Sequence, residues 1–304
     1  SGQLRLSARA RGRDEELEGT GEAELTNLVF DEGDQERPAS LRLTAITLSP
    51  GRVETSGVAQ YGDLVAGVGG EYDFDTGTAV ARVRAAQIAL AKFAEFIPDL
   101  QAEGTDGTLD GEVVARYDGV RWFTEGELLL ESSRINLTQE EFSLGPSRAT
   151  ITFTPDDRLV TVWTLSQPPN ELGAGTANGE VAVNLTPLLS DPTDVESWRD
   201  SLEMRANAAF ENFRFSYIIP SADGPTTGAL SGDLQANGRI SGPTVTGELR
   251  ADGAVVRLPT QPLTETTAAL PPVDPEFVGV NLIVAEETRV LAPTLDIRLH
   301  GQGT

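Results

Sequence analysis

Cysteine is absent from the 304-residue sequence, and histidine and methionine occur only once each. Without cysteine the chain forms no disulfide bond and no thiolate metal site, and with one histidine it forms no multi-histidine metal site. The absence of cysteine fits an intracellular protein or a bacterial envelope protein whose folding does not depend on oxidation. We expect no metal ion and no organic cofactor.

Aromatic residues and long apolar runs are also scarce. The chain has three tryptophans and four tyrosines, and no apolar run is long enough to cross a bilayer as a helix. It has 31 glycines and 18 prolines beside many threonines, valines and leucines. This composition favours short β-strands that are joined by turns and that bury aliphatic side chains.

Positive charge is in short supply too. The sequence has 23 basic against 47 acidic residues, a formal net charge of −24. A surface this negative repels phosphate backbones, so we expect no nucleic-acid partner.

Strict alternation of apolar and polar residues recurs along the chain. In residues 109–117, for example, Leu109, Gly111 and Val113 alternate with Asp110 and Glu112. Alternation with a period of two gives each strand one dry and one wet face, which is typical of an antiparallel sheet. We therefore predict an all-β fold.

A few segments depart from this alternation. We predict short helices at 91–100 and 192–210, and a loop in the proline- and threonine-rich residues 259–277. We predict turns at 75–77 (DTG), 154–157 (TPDD), 178–179 (NG) and 251–253 (ADG).

Residues 107–137 and 228–258 are two copies of one unit. They align without a gap at an offset of 121 residues (228 − 107), and glycines 107, 111 and 126 match glycines 228, 232 and 247. Residues 175–185 resemble the first part of the unit. Repeated strand units favour an elongated, stacked architecture, so we predict that residues 1–304 form one continuous segment.

No combination of residues indicates catalysis. The DTG triplet matches the aspartic-protease motif, but that chemistry needs two carboxylates sharing a proton, and the sequence has no second copy. Nothing brings two of the other acidic residues together as a glycosidase pair. We predict that the protein is not an enzyme.

The repeated segments resemble those of the TamB family of the Gram-negative envelope, part of the wider AsmA-like group. The resemblance is carried by residues 86–117 (AQIALAKFAEFIPDL…GTLDGEVVARY), 227–259 (TGALSGDLQANGRISG…) and 282–304 (LIVAEETRVLAPTLDIRLHGQGT). It covers most of residues 85–304, and residues 1–84 by pattern only.

The resemblance implies an elongated antiparallel sheet curled into a U-shaped groove (a β-taco, or repeating β-groove) with an apolar interior. It implies a periplasmic protein with an inner-membrane anchor N-terminal to these residues. It also implies an outer-membrane partner of the barrel-assembly type (TamA-like), contacted through a C-terminal region beyond them. The implied roles are phospholipid transfer between the inner and outer membranes, and assembly of outer-membrane proteins or autotransporters.

Such a groove would bind phospholipid acyl chains on the apolar phase of its strands. We predict that its lining residues are Leu109, Val113, Leu128, Leu130, Ile135, Leu137, Ile151, Phe153, Val181, Val183, Leu230, Leu234, Ile240, Leu249, Val256, Leu258, Val280, Leu282, Leu295, Ile297 and Leu299.

Three functions remain open at this point. The first is a hydrophobic conduit for phospholipid. The second is an assembly factor that offers strand edges to client proteins. The third is a passive stacked-β spacer, in which the same aliphatic side chains fill a closed core.

Overall fold

The structure, a computed structural model, describes residues 3–11, 18–32, 35–95, 97, 100–138, 143–170, 173–190, 201–217, 224, 226–257, 276–292 and 295–303.

The described residues form one sheet of sixteen strands, in which each strand lies beside its neighbours in sequence. The strands are β1 Gln3–Arg11, β2 Glu18–Glu32, β3 Gln35–Ser49, β4 Arg52–Tyr61, β5 Leu64–Asp73, β6 Thr78–Ala89, β7 Thr108–Tyr117, β8 Trp122–Ser132, β9 Ser147–Thr154, β10 Arg158–Asn170, β11 Gly173–Asn184, β12 Glu203–Tyr217, β13 Thr226–Arg239, β14 Gly242–Arg257, β15 Glu276–Ala292 and β16 Leu295–Gly303.

The predicted all-β fold with an elongated antiparallel sheet is confirmed, with one exception among the strand pairs. β14 and β15 are parallel, whereas every other neighbouring pair is antiparallel. A parallel pair needs a long crossover connection between its strands. Residues 258–275 are the part of the sequence that joins β14 to β15. They include most of the predicted loop 259–277 and lie outside the described residues. Glu276 and Phe277 correct the end of that prediction because they begin β15.

In the described part of the chain, helical residues form a 3-10 helix at Leu90–Glu95 and a five-residue helix, α1, at Thr186–Ser190, and Ser201, within the predicted helix 192–210, is helical as well. The 3-10 helix overlaps the predicted helix 91–100. The predicted helix 192–210 is wrong over Glu203–Phe210, which belong to β12, and residues 192–200 lie outside the description. β12 pairs with β11 on one side and β13 on the other, and two rows of inter-strand bonds outweigh local helix propensity.

Two of the four predicted turns are present. The DTG triplet lies in the turn between β5 and β6, where Asp73 Oδ1 accepts hydrogen bonds of 2.8 Å from both the backbone N and Oγ1 of Thr76. TPDD joins β9 to β10. The turn predicted at 178–179 is wrong because both residues lie within β11. The turn predicted at 251–253 is a bulge inside β14, where the pairing with β13 shifts.

The sheet is open: β1 and β16 stand at its two ends and are not paired with each other. The chain exposes 19117 Å² of surface, whereas a compact protein of its 32.3 kDa would expose about 12,000 Å². The excess follows from an architecture in which each strand contacts mainly its two neighbours rather than a second layer.

The sequence repeat is also a structural repeat. Adding 121 to both members of each of the ten β7–β8 pairs gives a β13–β14 pair. The hydrogen bond from the Asn136 backbone N to Thr105 Oγ1, 2.8 Å, recurs 121 residues later from the Arg257 N to Thr226 Oγ1, 3.1 Å. The two copies therefore share their strand register and a stabilising side-chain contact.

Candidate functional site: the apolar face of the sheet

One face of the sheet is apolar along its whole length. Directly opposed residues in an antiparallel pair lie on the same face, so the register can be followed from strand to strand. From Val113 of β7 it leads to Val83 of β6 and Val68 of β5 in one direction, and to Gly126 of β8 and Phe153 of β9 in the other. We call this the groove face and the opposite one the outer face.

The register places most of the predicted lining residues on the groove face. They are Leu109, Val113, Leu128, Leu130, Ile151, Phe153, Val181, Val183, Leu230, Leu234, Leu249, Val256, Val280, Leu282 and Ile297, with Leu295 and Leu299 at matching register positions.

The other predicted lining residues lie elsewhere. Ile135 and Leu137 form isolated bridges with Leu144 and Leu100, outside the named strands. Ile240 lies in the turn between β13 and β14, where its backbone N donates to the Leu202 carbonyl. Leu258 lies outside the described residues.

The aliphatic side chains of the groove face are not enclosed. Among the described residues no large side chain is fully buried, and the apolar positions below nine per cent exposure are mainly alanines. Leu128, Leu130 and Leu249 are half-buried, whereas Leu6 is 68%, Val83 49% and Leu282 42% exposed. The side chains of this face are therefore sheltered mainly by those of the neighbouring strands, and no second layer of sheet among the described residues covers them.

The outer face is polar and carries cross-strand ion pairs. Arg116 of β7 contacts Glu125 of β8 at 2.6 Å, and Arg52 of β4 contacts Glu71 of β5 at 2.6 Å. Leu129 is one of several apolar residues on the outer face, where its pairing with Asp110 and Thr150 places it. The register places Val58, Val65 and Val162 there as well. The two faces therefore offer water very different surfaces.

A pair of glycines bends each copy of the repeat. Gly111 and Gly126 have φ of 138° and 139°, a backbone region that favours glycine. A Cβ on Gly111 would lie 2.9 Å from Leu128 Cα, and one on Gly126 would lie 2.9 Å from Val113 Cα. Gly232 and Gly247 repeat this geometry, with φ of 130° and 142°. Glycine at these positions lets the two strands approach closely, which supports curvature of the sheet.

A bulge precedes each glycine pair. β6 bulges between Ala85 and Ile88, and the backbone N of Gln87 donates to Asp110 Oδ2 at 3.0 Å. β12 bulges between residues 210 and 213, where the backbone N of Asn212 donates to Ser231 Oγ at 3.0 Å. Ser231 lies 121 residues after Asp110, so the bulge and its side-chain acceptor belong to the repeat. Bulges strengthen twist and bend a strand.

Trp163 lies in the middle of the groove face, opposite Gly179 of β11. A Cβ on Gly179 would lie 2.7 Å from Cζ2 of the indole, so the ring covers the glycine and lies low on the floor of the groove. In the partial third copy of the repeat Gly179 corresponds to Gly111, but its φ is not in the left-handed region. Glycine makes room here both for the aromatic ring and for the backbone of β12, because a Cβ would also overlap the Asn207 carbonyl oxygen.

Unlike Trp163, several other aromatic residues with a polar atom lie at the ends of the strands. We call the edge formed by the turns 74–77, 118–121 and 155–157 the turn rim, and the edge formed by segments 62–63, 90–107 and 133–146 the loop rim. Tyr72, Tyr117 and Trp122 share one register row on the groove face at the turn rim, with Ala79 between the tyrosines. We call these three residues the aromatic row. We did not predict the aromatic row from the sequence, although each of its members lies at or near the end of a segment in which apolar and polar residues alternate.

The loop rim beside β6–β9 is packed. Leu90, Leu100, Asn136 and Ser143 are buried there. The Asn136 amide donates to Gln101 Oε1 and the Glu103 carbonyl at 3.1 and 3.0 Å, and its Oδ1 accepts from Ser143 Oγ at 2.9 Å. This satisfied polar network holds the segments 100–107 and 132–144 together over the strand ends.

Asp106 anchors the same rim. Its carboxylate accepts hydrogen bonds from Ser133 Oγ, from the Ser133 and Arg134 backbone N at 2.8 and 2.9 Å, and from Ser132 Oγ. These donors, with the Ser133 hydroxyl first, lower the pKa of Asp106 to about 2. The acidic group therefore serves a structural connection between the β6–β7 and β8–β9 loops.

The described residues contain no group of three or more metal-ligating side chains. The recess beside Ser132, Ser147 and Arg148 and the one beside Arg11 and Glu18 are open to solvent. In the same part of the chain, no helix has the length and apolar character needed to cross a membrane.

Comparison of the chain with family models, with curated proteins and with solved structures finds no match to any of them.

Proposed function

We propose that this chain forms a hydrophobic groove for phospholipid transfer between the inner and outer membranes. The observation that carries the proposal is the groove face: an aliphatic surface continuous across sixteen strands and left uncovered by the described residues. The resemblance to the TamB family supports a periplasmic setting, an inner-membrane anchor and a TamA-like outer-membrane partner, the last two through regions outside these residues.

The physical advantage of such a surface is the hydration free energy that it saves. Each acyl methylene exposed to water costs about 0.8 kcal/mol, and contact with an aliphatic wall removes that cost. Fifteen steps between neighbouring strands, each about 4.8 Å, give a path of about 72 Å along the sheet. Half-buried leucine and valine side chains offer many similar weak contacts, which suits movement better than one deep pocket.

Native mass spectrometry of protein purified without detergent tests occupancy directly. We expect bound phospholipid, and we expect the purified chain to accelerate transfer of a fluorescent phospholipid between vesicles. A lipid-free spectrum together with transfer at the rate of vesicles alone would contradict the proposal.

Leu130 and Leu129 offer a matched pair of variants. Leu130 lies on the groove face and Leu129, its chain neighbour, lies on the outer face. Leu130→Glu introduces a charge into the acyl path and should abolish lipid retention and transfer, whereas Leu129→Glu should retain both. Leu249→Glu tests a second groove-face position, the one on β14 that is equivalent to Leu128 of β8. Equal effects of the Leu129 and Leu130 exchanges would contradict a path along the groove face.

A second candidate function is assembly of outer-membrane proteins by strand addition. The observation that favours it is the pair of sheet edges: β1 is paired only with β2 and β16 only with β15 among the described strands. Open edges are templates for another strand. A photo-crosslinker at Ser7 of β1 should then capture client β-strands, and client assembly should fail while lipid transfer persists.

The third candidate, a passive spacer, requires a filled core. The half-buried groove face of the described residues favours an open groove over such a core.

A further inference from the structure

We propose that the phospholipid head group rests at the turn rim between β5 and β8, beside the aromatic row, and that the acyl chains run along the strands toward the loop rim. This inference rests on the proposed function and adds an orientation of the bound lipid.

The aromatic residues at the turn rim support it. Tyr117 is the last residue of β7, Tyr72 is one residue from the end of β5, and Trp122 begins β8. The other two tyrosines, Tyr61 and Tyr217, end β4 and β12 at the opposite edge, where the register pairs neither of them with another aromatic residue. The floor between the rims is mainly aliphatic, with aromatic residues such as Trp163 among its members. Tyrosine and tryptophan favour positions where one end of the ring is dry and the other is wet, as at a bilayer interface.

The aromatic row concentrates this feature at one rim. The Tyr117 and Trp122 rings lie 5.3 Å apart, and Tyr72 packs edge-on against Phe74 at 5.1 Å. Tyr117 Oη donates to the Gly119 carbonyl at 3.1 Å, so its polar end lies in the turn while its ring lies on the groove face. Tyr72 remains 39% exposed. The row thus marks a boundary between apolar floor and water.

The loop rim opposite is less suited to a head group. Its buried cluster of Leu90, Leu100, Asn136 and Ser143 covers the strand ends of β6–β9. At the turn rim these strands are joined to their neighbours by short turns, and α1 contacts β8 there. From Tyr117 to Leu109 the floor of β7 spans eight residue steps, about 26 Å. One leaflet of a bilayer has about 15 Å of hydrocarbon, so an acyl chain fits along a strand without reaching the loop rim.

Three single-tryptophan proteins test the orientation. One retains only Trp122, one retains only Trp163, and the third carries Tyr61→Trp in a background where Trp122, Trp163 and Trp198 are phenylalanine. Each is mixed with phosphatidylcholine that carries a nitroxide quencher on the head group or on carbon 12 of one chain. Native mass spectrometry of the same samples records whether lipid is bound.

We expect the head-group label to quench Trp122 most and the Tyr61→Trp reporter least, and the chain label to quench Trp163 most. Bound lipid with stronger head-group quenching at the Tyr61→Trp reporter, or with equal quenching at both rims, would overturn the orientation and leave the proposed function standing. Absence of bound lipid and of all quenching would overturn both.

A second measurement uses the unaltered chain, so it does not depend on the folding of a variant. Phosphatidylcholine with a diazirine on the head group should cross-link to peptides containing residues 72–74 or 117–122. A diazirine at the chain end should instead cross-link to peptides of the floor, such as 161–163. The reverse assignment would overturn the orientation.

Discussion

The side-chain amide of Gln167 is paired with the main chain of Arg214 as though it were a peptide group. Its Oε1 accepts from the Arg214 backbone N at 2.7 Å, and its Nε2 donates to the Arg214 carbonyl at 3.1 Å. Gln167 belongs to β10 and Arg214 to β12, so the contact reaches across β11 at Gly175. A Cβ on Gly175 would lie 2.6 Å from Gln167 Oε1. Gln167 is 4% exposed. Its side chain makes the hydrogen bonds to β12 that the backbone of β11 does not make at this point.

Loss of this contact should loosen β12 locally. Gln167→Ala removes two buried hydrogen bonds and should cost about 1–3 kcal/mol of unfolding free energy. Gly175→Ala should cost at least as much because it displaces the same amide, and the double variant should cost less than the sum. Urea unfolding and amide exchange at Arg214 measure this, with Gln235→Ala on the exposed outer face as control. If the loss of unfolding free energy in the double variant equalled the sum of the two single losses, Gln167 and Gly175 would act separately.

The glycine pair of each repeat should tolerate no side chain. We expect Gly126→Ala and Gly247→Ala each to destabilise the protein by about 2–4 kcal/mol, because both the positive φ and the close strand oppose a Cβ. Gly67→Ala is the matched control, since its nearest contacts would be 3.8 Å away, and it should change stability by less than about 1 kcal/mol. Equal urea midpoints for Gly126→Ala and Gly67→Ala would contradict this account.

Two threonines, the buried Thr124 and the half-buried Thr105, should respond in opposite ways to exchange for valine. The Thr124 hydroxyl on the groove face is buried and has no hydrogen-bond partner in the described chain, so Thr124→Val should leave stability unchanged or raise it by about 1 kcal/mol. Thr105 Oγ1 donates to the Gln101 carbonyl at 2.6 Å and accepts from the Asn136 N at 2.8 Å. Thr105→Val should therefore lower stability by about 1–3 kcal/mol. The urea midpoint of each variant measures its stability. A similar loss of stability in both variants would contradict the difference expected between the two threonines.

Asp106 should make stability depend on acid pH. Its pKa of about 2 in the folded protein lies below the ordinary aspartate value of 3.8, so its contribution to stability is present above pH 3.8 and is lost as pH falls toward 2. Asp106→Asn should lower stability at pH 6, and the difference from the wild type should shrink between pH 4 and pH 2. Asp73, Asp118 and Asp156, whose pKa values are also lowered, are present in both proteins and cancel in the comparison. A difference that does not vary with pH would contradict the role assigned to the carboxylate.

The strands of the sheet could be predicted because the pattern that indicates each of them lies within one short segment of the sequence. Alternation in residues such as Leu109, Gly111 and Val113 indicates a two-faced strand wherever it occurs, and the offset of 121 residues indicates equivalent hairpins. The β12 segment was mistaken for a helix at Glu203–Phe210 because pairing with β11 and β13, rather than local propensity, decides its conformation. The parallel pairing of β14 with β15 depends on a distant partner in the same way.

The groove-face positions could be predicted for residues within strands and not for those at strand ends. Ile135 and Leu137 continue the apolar pattern of β8, but the chain leaves the strand at Ser132, where Asp106 and the Asn136 network hold it. The aromatic row depends on register, which joins Tyr72, Tyr117 and Trp122 from three strands. Single-strand periodicity carries no information about that alignment.

The matching register of the two repeat copies makes the length of the sheet adjustable in whole units. β6–β8 and β12–β14 have corresponding pairings and bulges, six strands apart. Removal of residues 133–253 would join Ser132 directly to Ala254, two neighbours already in equivalent register, and shorten the sheet by six strands, about 29 Å. Gene duplication in the opposite direction would lengthen it by the same step, so the span of a sheet of this design can change in increments of one repeat without a change in strand register.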